Sequence, residues 1–538
     1  MAVPQCEAAL ASPGCNKSVM VNLTTLKETA EEGLRFLRRQ KDVHEAELFV
    51  ADNAVLTARL NYVSHIPCNG VEEPKSIESY GLSVRAVFTD PKGHRVGMGS
   101  EPGNLSLDGV KAALDKARRI AVQDPHFTRL PVPSSERRTL LKYHDPATME
   151  LTDTDLVQAG WRVLSQALEV FEGTGSLKTL VSAKQRLRDL GLIVGGDVTV
   201  LQERIAIGSS QLPKVQTDES SLIASFITAM VEREDAKGTG FACSTHLNKF
   251  RGEAGAEAAR NAVAAVGGVR IKDGEYRVIL GPQPVADLLS NLVLPSLSAD
   301  AFYDRSSTFH GQLSRQVAHE MVSIYDHGAL PGQIGSKGIT CEGLPTGRTD
   351  LIKDGVLVGL LSSFYETERL LSDADAKEKL GLAPHQLRNA LVPRNGFRSS
   401  SGGGRRFDVS PSVAATNVFI KGRDDKTLDQ LIREVENGVY IGRIWYTYPI
   451  NGLRAGDFTC TVVGDSFVIQ DGKLAAPLKA NTVRINDNIR QVLQNIIGIT
   501  HKSRPTVVWD GDEVVHTPEI AVSRLKLDAI AGYMDSLQ

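Results

Sequence analysis

No stretch of roughly 18 apolar residues, the length a membrane-spanning helix needs, occurs in the 538 residues of this chain. The apolar run near Val19 to Leu26 is broken by Asn22 and Thr24. It also lacks a basic leader and a cleavage site, so no signal peptide is expected. Charge of either sign is not in excess: 61 Lys and Arg face 64 Asp and Glu, a formal charge of -3. That balance gives no electrostatic footprint for nucleic acid. Only six cysteines are present, Cys6, Cys15, Cys68, Cys243, Cys341 and Cys460, and no CxxC pair occurs. This excludes a disulfide scaffold and a cysteine zinc knuckle, and a reducing cytoplasm is the simplest setting. There is no G-x-S-x-G elbow, so His310 and its neighbouring serines do not read as a serine hydrolase. Gly402-Gly403-Gly404-Arg405-Arg406 lacks the Lys-Ser/Thr ending of a phosphate loop. It reads instead as a flexible loop with two cations for a carboxylate or an acidic partner.

What is present is an ordinary globular pattern, too long for a single hydrophobic core. A helix is expected after Asn22, with Leu26, Ala30, Leu34 and Leu37 on one face. Ala46–Val50 and Val55–Leu60 read as the two arms of a hairpin, and 66–79 as a loop. Tyr80–Thr89 and Arg95–Gly99 follow as strands about a turn at 90–93. Helices are expected over 105–121, opened by Ser106, over 151–172, opened by Thr152, and over 247–265. Between the last two, 177–184, 186–192, 197–206 and 220–233 read as strands. The second half opens with a strand, 277–280, and a helix, 284–294, stopped by Pro295. It then turns β-rich, with 321–325 a strand and Asp-Gly hairpins at Asp354-Gly355 and Asp471-Gly472. The long loop 395–411 stands out, since loops of that length are usually functional. The fold class expected is α+β. A disordered 1–20 precedes an N-terminal α/β domain, 21–270, and a C-terminal barrel-like antiparallel β domain, 271–538.

His319-Glu320 is the first candidate for chemistry. A zincin needs HExxH, with its imidazoles one helical turn apart. Here the next histidine, His327, is eight residues on. On a helix the rings would stand about 80° apart, and on a strand roughly 26 Å apart. A turn histidine and an exposed strand-end pair is the simpler reading. Cys341 and Cys460 read as half-buried strand residues rather than nucleophiles.

Several blocks, in order, carry a family resemblance. Thr349–Leu357 (TDLIKDGVL) is similar to a "D-I-I-K-D-G-I-L" hairpin. Asn395-Gly396-Phe397-Arg398 leads to Ala415-Thr416-Asn417-Val418-Phe419-Ile420, similar to "P-x-x-T-N-x-x-I". Asn451–Thr459 (NGLRAGDFT) resembles "N-x-x-x-G-D-[FY]-S", and Thr482–Gly498 resembles "T-I-A-G-N-L-x-D-x-x-x-N-I-x-x-V-G". These are blocks of the TldD/PmbA metallopeptidase family, and the resemblance covers residues 275–500. The N-terminal half matches only loosely, at Val84–Val96 and Val231–Glu234.

The resemblance implies a choice between two kinds of member. The TldD type carries HExxxH on the helix that opens the C-terminal domain, with a cysteine ligand near the C-terminus. The PmbA/TldE type lacks these and pairs with a TldD-type chain. Here Ser290, Asn291 and Pro295 fall on the motif positions, and Ile499–Gln538 contains no cysteine. The implied protein is a PmbA/TldE-type subunit with no zinc of its own. A TldD-type partner would carry the zinc, and unfolded peptide would be the substrate. Asn395, Arg398, Arg405, Arg406, Asn451, Arg454 and Asp457 are the candidates for its peptide track, with no catalytic residue expected. Two alternatives stay open: a hydrolase with a rearranged site at His319, Glu320 and His327, or a homodimer that binds peptide without cutting it.

Overall fold

A computed structural model describes residues 20–66, 70–90, 93–182, 184–386, 389–399, 403–423, 425–508 and 513–530. The expected disorder of 1–20 falls almost wholly outside these, as do Cys6, Cys15, Cys68 and Gly402.

The chain opens as its capping chemistry dictates. Asn22 accepts the Thr25 N–H and starts helix Leu23–Leu37, which buries Leu26, Ala30, Leu34 and Leu37. Ser106 caps Leu107–Ile120. Thr152 and Asp155 form a reciprocal capping box on Asp153–Gly173. These helices, with Glu253–Ala264, cover one face of an antiparallel sheet. Its order is Gly93–Pro102, Lys75–Asp90, Val43–Val63, Leu192–Ser209, Gln216–Val231, Ala236–Ser244, with the short Gly70–Val71 added to the third.

Four expectations fail here. The hairpin over 46–60 is one 21-residue strand, Val43–Val63, paired without a turn through Asp52 and Asn53. The strand expected over 177–184 is instead helical at Gly175–Thr179. That over 186–192 begins as a single 3-10 turn, Leu187–Leu190. The loop expected over 66–79 already joins the sheet at Gly70–Val71 and again from Lys75.

The opposite face of this sheet meets the second half of the chain. Phe49, Ala51, Ile205 and Ile207 point the other way from Leu48, Val50 and Ala206, as the two-residue strand period requires. They pack on Ile339, Cys341, Phe397 and Phe407.

The second half is built on a nine-stranded, curled half-barrel sheet and a six-stranded sheet with one large apolar core between them. The nine-stranded sheet ends at the edge strand Arg443–Pro449, followed by Asp457–Gly464 and Val483–Asn488. Most pairings are antiparallel, as expected. Gly438–Ile441 on Gly274–Leu280 and Asn417–Lys421 on Val514–Thr517 are parallel. Both Asp-Gly hairpins form, with positive φ at Asp354, Gly355, Asp471 and Gly472.

Pro295 does not stop its helix. The helix runs Pro282–Leu288, widens into a π turn at Leu289–Val293, and closes at Leu294–Ser296. A proline in an α-helix clashes with the carbonyl four residues back, and the wider i→i+5 turn relieves that clash.

Candidate functional site

The bulged helix carries positions 290, 291 and 295, which the resemblance sets against the family's metal motif. Its inner side buries Val285, Leu288, Leu289, Leu292 and Val293 in the core. Its outer side presents Ser290, half-buried, with Asn291 and Pro295 exposed. An i→i+5 turn stacks residues five apart over one another, so positions 290 and 295 share a face. The side chains at these two positions are a hydroxyl and a pyrrolidine ring. Neither is a zinc ligand of useful strength, and the amide of Asn291 cannot act as a base toward water. This donor set does not fit zinc.

One turn back, Asp287 is buried and already engaged. Gln283 Nε2 donates to its Oδ2 at 3.0 Å and Asn291 Nδ2 to its Oδ1 at 3.1 Å. Gln283 Oε1 in turn accepts the Ile444 N–H from the edge strand, at 3.0 Å. Burial raises the Asp287 carboxyl above its usual range, against the pull of Arg443 and these hydrogen bonds.

The His319-Glu320 alternative finds no assembled site. His319 is half-buried, and its Nδ1 accepts the Met321 N–H at 3.3 Å. Glu320 is exposed. His327 ends strand Ser323–His327, and burial, with Arg348 and Arg394 nearby, lowers its pKa. Among the described residues no three His, Cys, Asp or Glu side chains converge as a metal site. Burial pushes the Cys341 thiol up to about 11 and raises Cys460 further, so neither is a ready thiolate. His310 is half-buried and its pKa is lowered, by burial first.

The loop 395–411 corrects the peptide-track expectation at three positions. Asn395 is fully buried and donates to Asp326 Oδ2 at 2.8 Å and to the Ala414 carbonyl at 3.0 Å. Arg398 is 0% exposed. It pairs with Glu47 at 2.8 Å, donates to Ser83 Oγ at 2.9 Å and the Val409 carbonyl at 3.1 Å, and lies 4.6 Å from the Phe49 ring. Arg405 is buried between Glu203 and Asp218, the latter at 2.8 Å. Lys337 and Ser220 close on the same Glu203. These cations do meet carboxylates, but the carboxylates belong to the N-terminal sheet. Buried groups so committed cannot line a peptide track. Arg406 pairs locally with Asp408 and remains half-exposed.

Asn451, Arg454 and Asp457 do come together. They sit in the bend after the edge strand, where Gly452 and Gly456 supply the positive φ values of 76° and 79°. Asp457 accepts from Asn451 at 3.2 Å through one oxygen and from Asn488 at 2.8 Å through the other. Arg454 donates to the Arg305 carbonyl at 3.1 Å. Asn451 and Arg454 are exposed.

One feature escaped the sequence reading. On the edge strand Arg443–Pro449 and its continuation, Tyr446, Tyr448 and Ile450 are 71%, 54% and 51% exposed. Their spacing is visible in Tyr446-Thr447-Tyr448-Pro449-Ile450, but their exposure is not. The strand carries a register shift between Trp445 and Tyr448, with φ +58° at Tyr446. It packs against the bulged helix, so the apolar edge and positions 290, 291 and 295 belong to one region.

Comparison with known proteins agrees with this architecture. The profile of the PmbA/TldA metallopeptidase C-terminal domain matches residues 273–529. A TldD-homologue metalloprotease of Buchnera aphidicola (from Acyrthosiphon pisum) is 23% identical over 84% of this chain and 88% of its own. A metalloprotease of Methanothermobacter thermautotrophicus is 27% identical, and one of Synechocystis 29%. Those two matches span 42% and 45% of this chain and only 43% and 46% of theirs, so the chain aligns with less than half the length of either. The crystal structure of TldE from Thermococcus kodakarensis superposes with a TM-score of 0.73 at 18% identity, covering 93% of this chain and 100% of that one.

Proposed function

This chain belongs to the TldD/PmbA family, and from that premise we propose that it is a TldE/PmbA-like subunit of a TldD-type metallopeptidase system acting on unfolded peptides, without a catalytic zinc of its own. The outer face of the bulged helix carries the proposal. It carries a π turn at Leu289–Val293 and holds Ser290, Asn291 and Pro295 on or just after it. The TldD-type partner brings the zinc. This chain brings part of the enclosing wall, with Arg406, Asn451, Arg454 and Asp457 as its remaining peptide contacts.

Partner docking is assigned to the apolar edge. Exposed aromatics beside an open strand edge are the groups that dominate interface cores. Tyr448→Arg is expected to weaken association with the TldD-type chain by about tenfold or more. The denaturation midpoint of the isolated chain should stay unchanged, because the side chain is exposed. Titration calorimetry or analytical ultracentrifugation reads the first, and a urea melt the second.

The proposal is tested by mixing. An unfolded peptide is expected to be cut by the paired chains and not by this chain alone. Cutting by the isolated chain, abolished by Glu320→Gln, would overturn it in favour of the rearranged site. Peptide binding with no cutting, even with the TldD-type chain present, would favour the non-cleaving homodimer.

A further inference from the structure

We propose that Asn451 is a site of spontaneous covalent modification, through a succinimide to aspartate and isoaspartate, at the bend that follows the exposed edge strand. The chemistry needs a side-chain amide followed by a residue with no side chain, in backbone free to move. In the reaction the Gly452 amide nitrogen attacks Asn451 Cγ. An N–Cγ bond forms, the Cγ–Nδ2 bond breaks, and ammonia leaves with the proton from the Gly452 nitrogen. Water then opens the ring at either carbonyl, giving aspartate or isoaspartate, with no change of oxidation state.

The chain contains four Asn-Gly pairs, at Asn69, Asn395, Asn437 and Asn451. Asn69 lies outside the described residues. The other three sit in contrasting environments. Asn395 is fully buried, and its side-chain nitrogen donates to Asp326 and to the Ala414 carbonyl. Its Gly396 lies in the short strand Gly396–Phe397, where an added Cβ would stand 2.1 Å from Glu342 Oε2. Asn437 is exposed, but its Oδ1 is held by the Asp471 N–H. Gly438 opens strand Gly438–Ile441, packed so closely that a Cβ would meet the Arg277 carbonyl at 2.2 Å. Asn451 and Gly452 are both exposed, and among the described residues nothing lies within 4 Å of where a Gly452 Cβ would be. Only glycine is at ease at the Gly452 φ of +76°, and that freedom is what ring closure uses.

The bend also makes the product matter. Asn451 Nδ2 donates to Asp457 Oδ2 at 3.2 Å. Conversion replaces this donor with a second carboxylate, and the isoaspartate branch adds an atom to the main chain. Asp457 is the group that holds Asn488 through its other oxygen. The corner joining the edge strand to the sheet is therefore expected to loosen with age.

The test is incubation of the purified full-length chain for days at mildly alkaline pH, followed by peptide mass spectrometry with fragmentation that separates aspartate from isoaspartate. Asn451 is expected to convert at least about tenfold faster than Asn395 or Asn437, since those sites must first open locally. Asn451→Gln is expected to remove the signal without disturbing the fold, and Gly452→Ala to slow it. Conversion at Asn395 or Asn437 as fast as at Asn451 overturns the proposal, as does an Asn451 that stays an amide while free Asn-Gly peptide converts in the same tube.

Discussion

Replacing Arg398 by alanine is expected to destabilise the chain by about 3–5 kcal/mol, the cost of stripping one partner from a buried ion pair. The guanidinium is fully buried and satisfies Glu47, Ser83 and two carbonyls of its own loop. Without it, Glu47 keeps Arg85, at 2.8 Å. Glu47→Ala is expected to be at least as damaging, because it leaves both Arg85 and Arg398 facing low-dielectric surroundings. The cost of a buried pair lies mainly in leaving one charge alone. The double replacement Arg398→Ala with Glu47→Ala is therefore expected to cost less than the sum of the two single changes. Denaturant midpoints for the four proteins check this. The contacts lie 351 residues apart in the chain, so what is lost is the join between its two halves. Limited proteolysis should accordingly release an N-terminal fragment from Arg398→Ala sooner than from the parent.

Replacing Glu342 by glutamine is expected to stabilise the chain, and to do so more as the pH rises. Glu342 is fully buried, and its Oε1 has no hydrogen-bond partner among the described residues. Its Oε2 accepts the Phe364 N–H at 2.9 Å. Burial, opposed by that bond and by Arg85 and Arg398, pushes the carboxyl from 4.5 to about 7. The sign follows from proton counting. Between those values the folded state holds a proton that the unfolded state has released, so stability falls as pH rises through this window. Above it, the ionised carboxylate carries a penalty on the order of 3 kcal/mol. Glutamine has no proton to lose and escapes the penalty. The gain over the parent should be small near pH 4.5 and should level off above about 7. Asp326 and Asp465, each raised to about 6 by burial, add slopes of the same sign in parent and variant alike, so the difference isolates Glu342. Urea melts at several pH values measure it.

Local chemistry was legible in the sequence where the signal is local. Asn22, Ser106 and Thr152 cap the helices they were read to cap, and both Asp-Gly hairpins form. The failures share a cause, a partner distant in sequence. Asp52 and Asn53 read as a turn because they are polar. They lie inside a strand because Asp52 Oδ2 accepts the Val21 N–H and Asn53 Nδ2 donates to the Arg405 carbonyl. Arg398 and Arg405 read as solvent-facing because Glu47, Glu203 and Asp218 are far away in the chain. Pro295 read as a helix stop because a π turn has no sequence signature of its own. The candidate site was legible as a set of substitutions at 290, 291 and 295, but the apolar edge beside it was not. Tyr446, Tyr448 and Ile450 alternate as a half-buried strand would, and only the sheet order shows that their side chains are uncovered.

Metal analysis of the purified chain after exhaustive dialysis tests the central claim most directly. Ser290, Asn291 and Pro295 offer zinc no imidazole and no carboxylate, so zinc is expected far below one ion per chain, unchanged by His319→Ala. A full equivalent of zinc retained through dialysis, and lost on His319→Ala or His327→Ala, would contradict it.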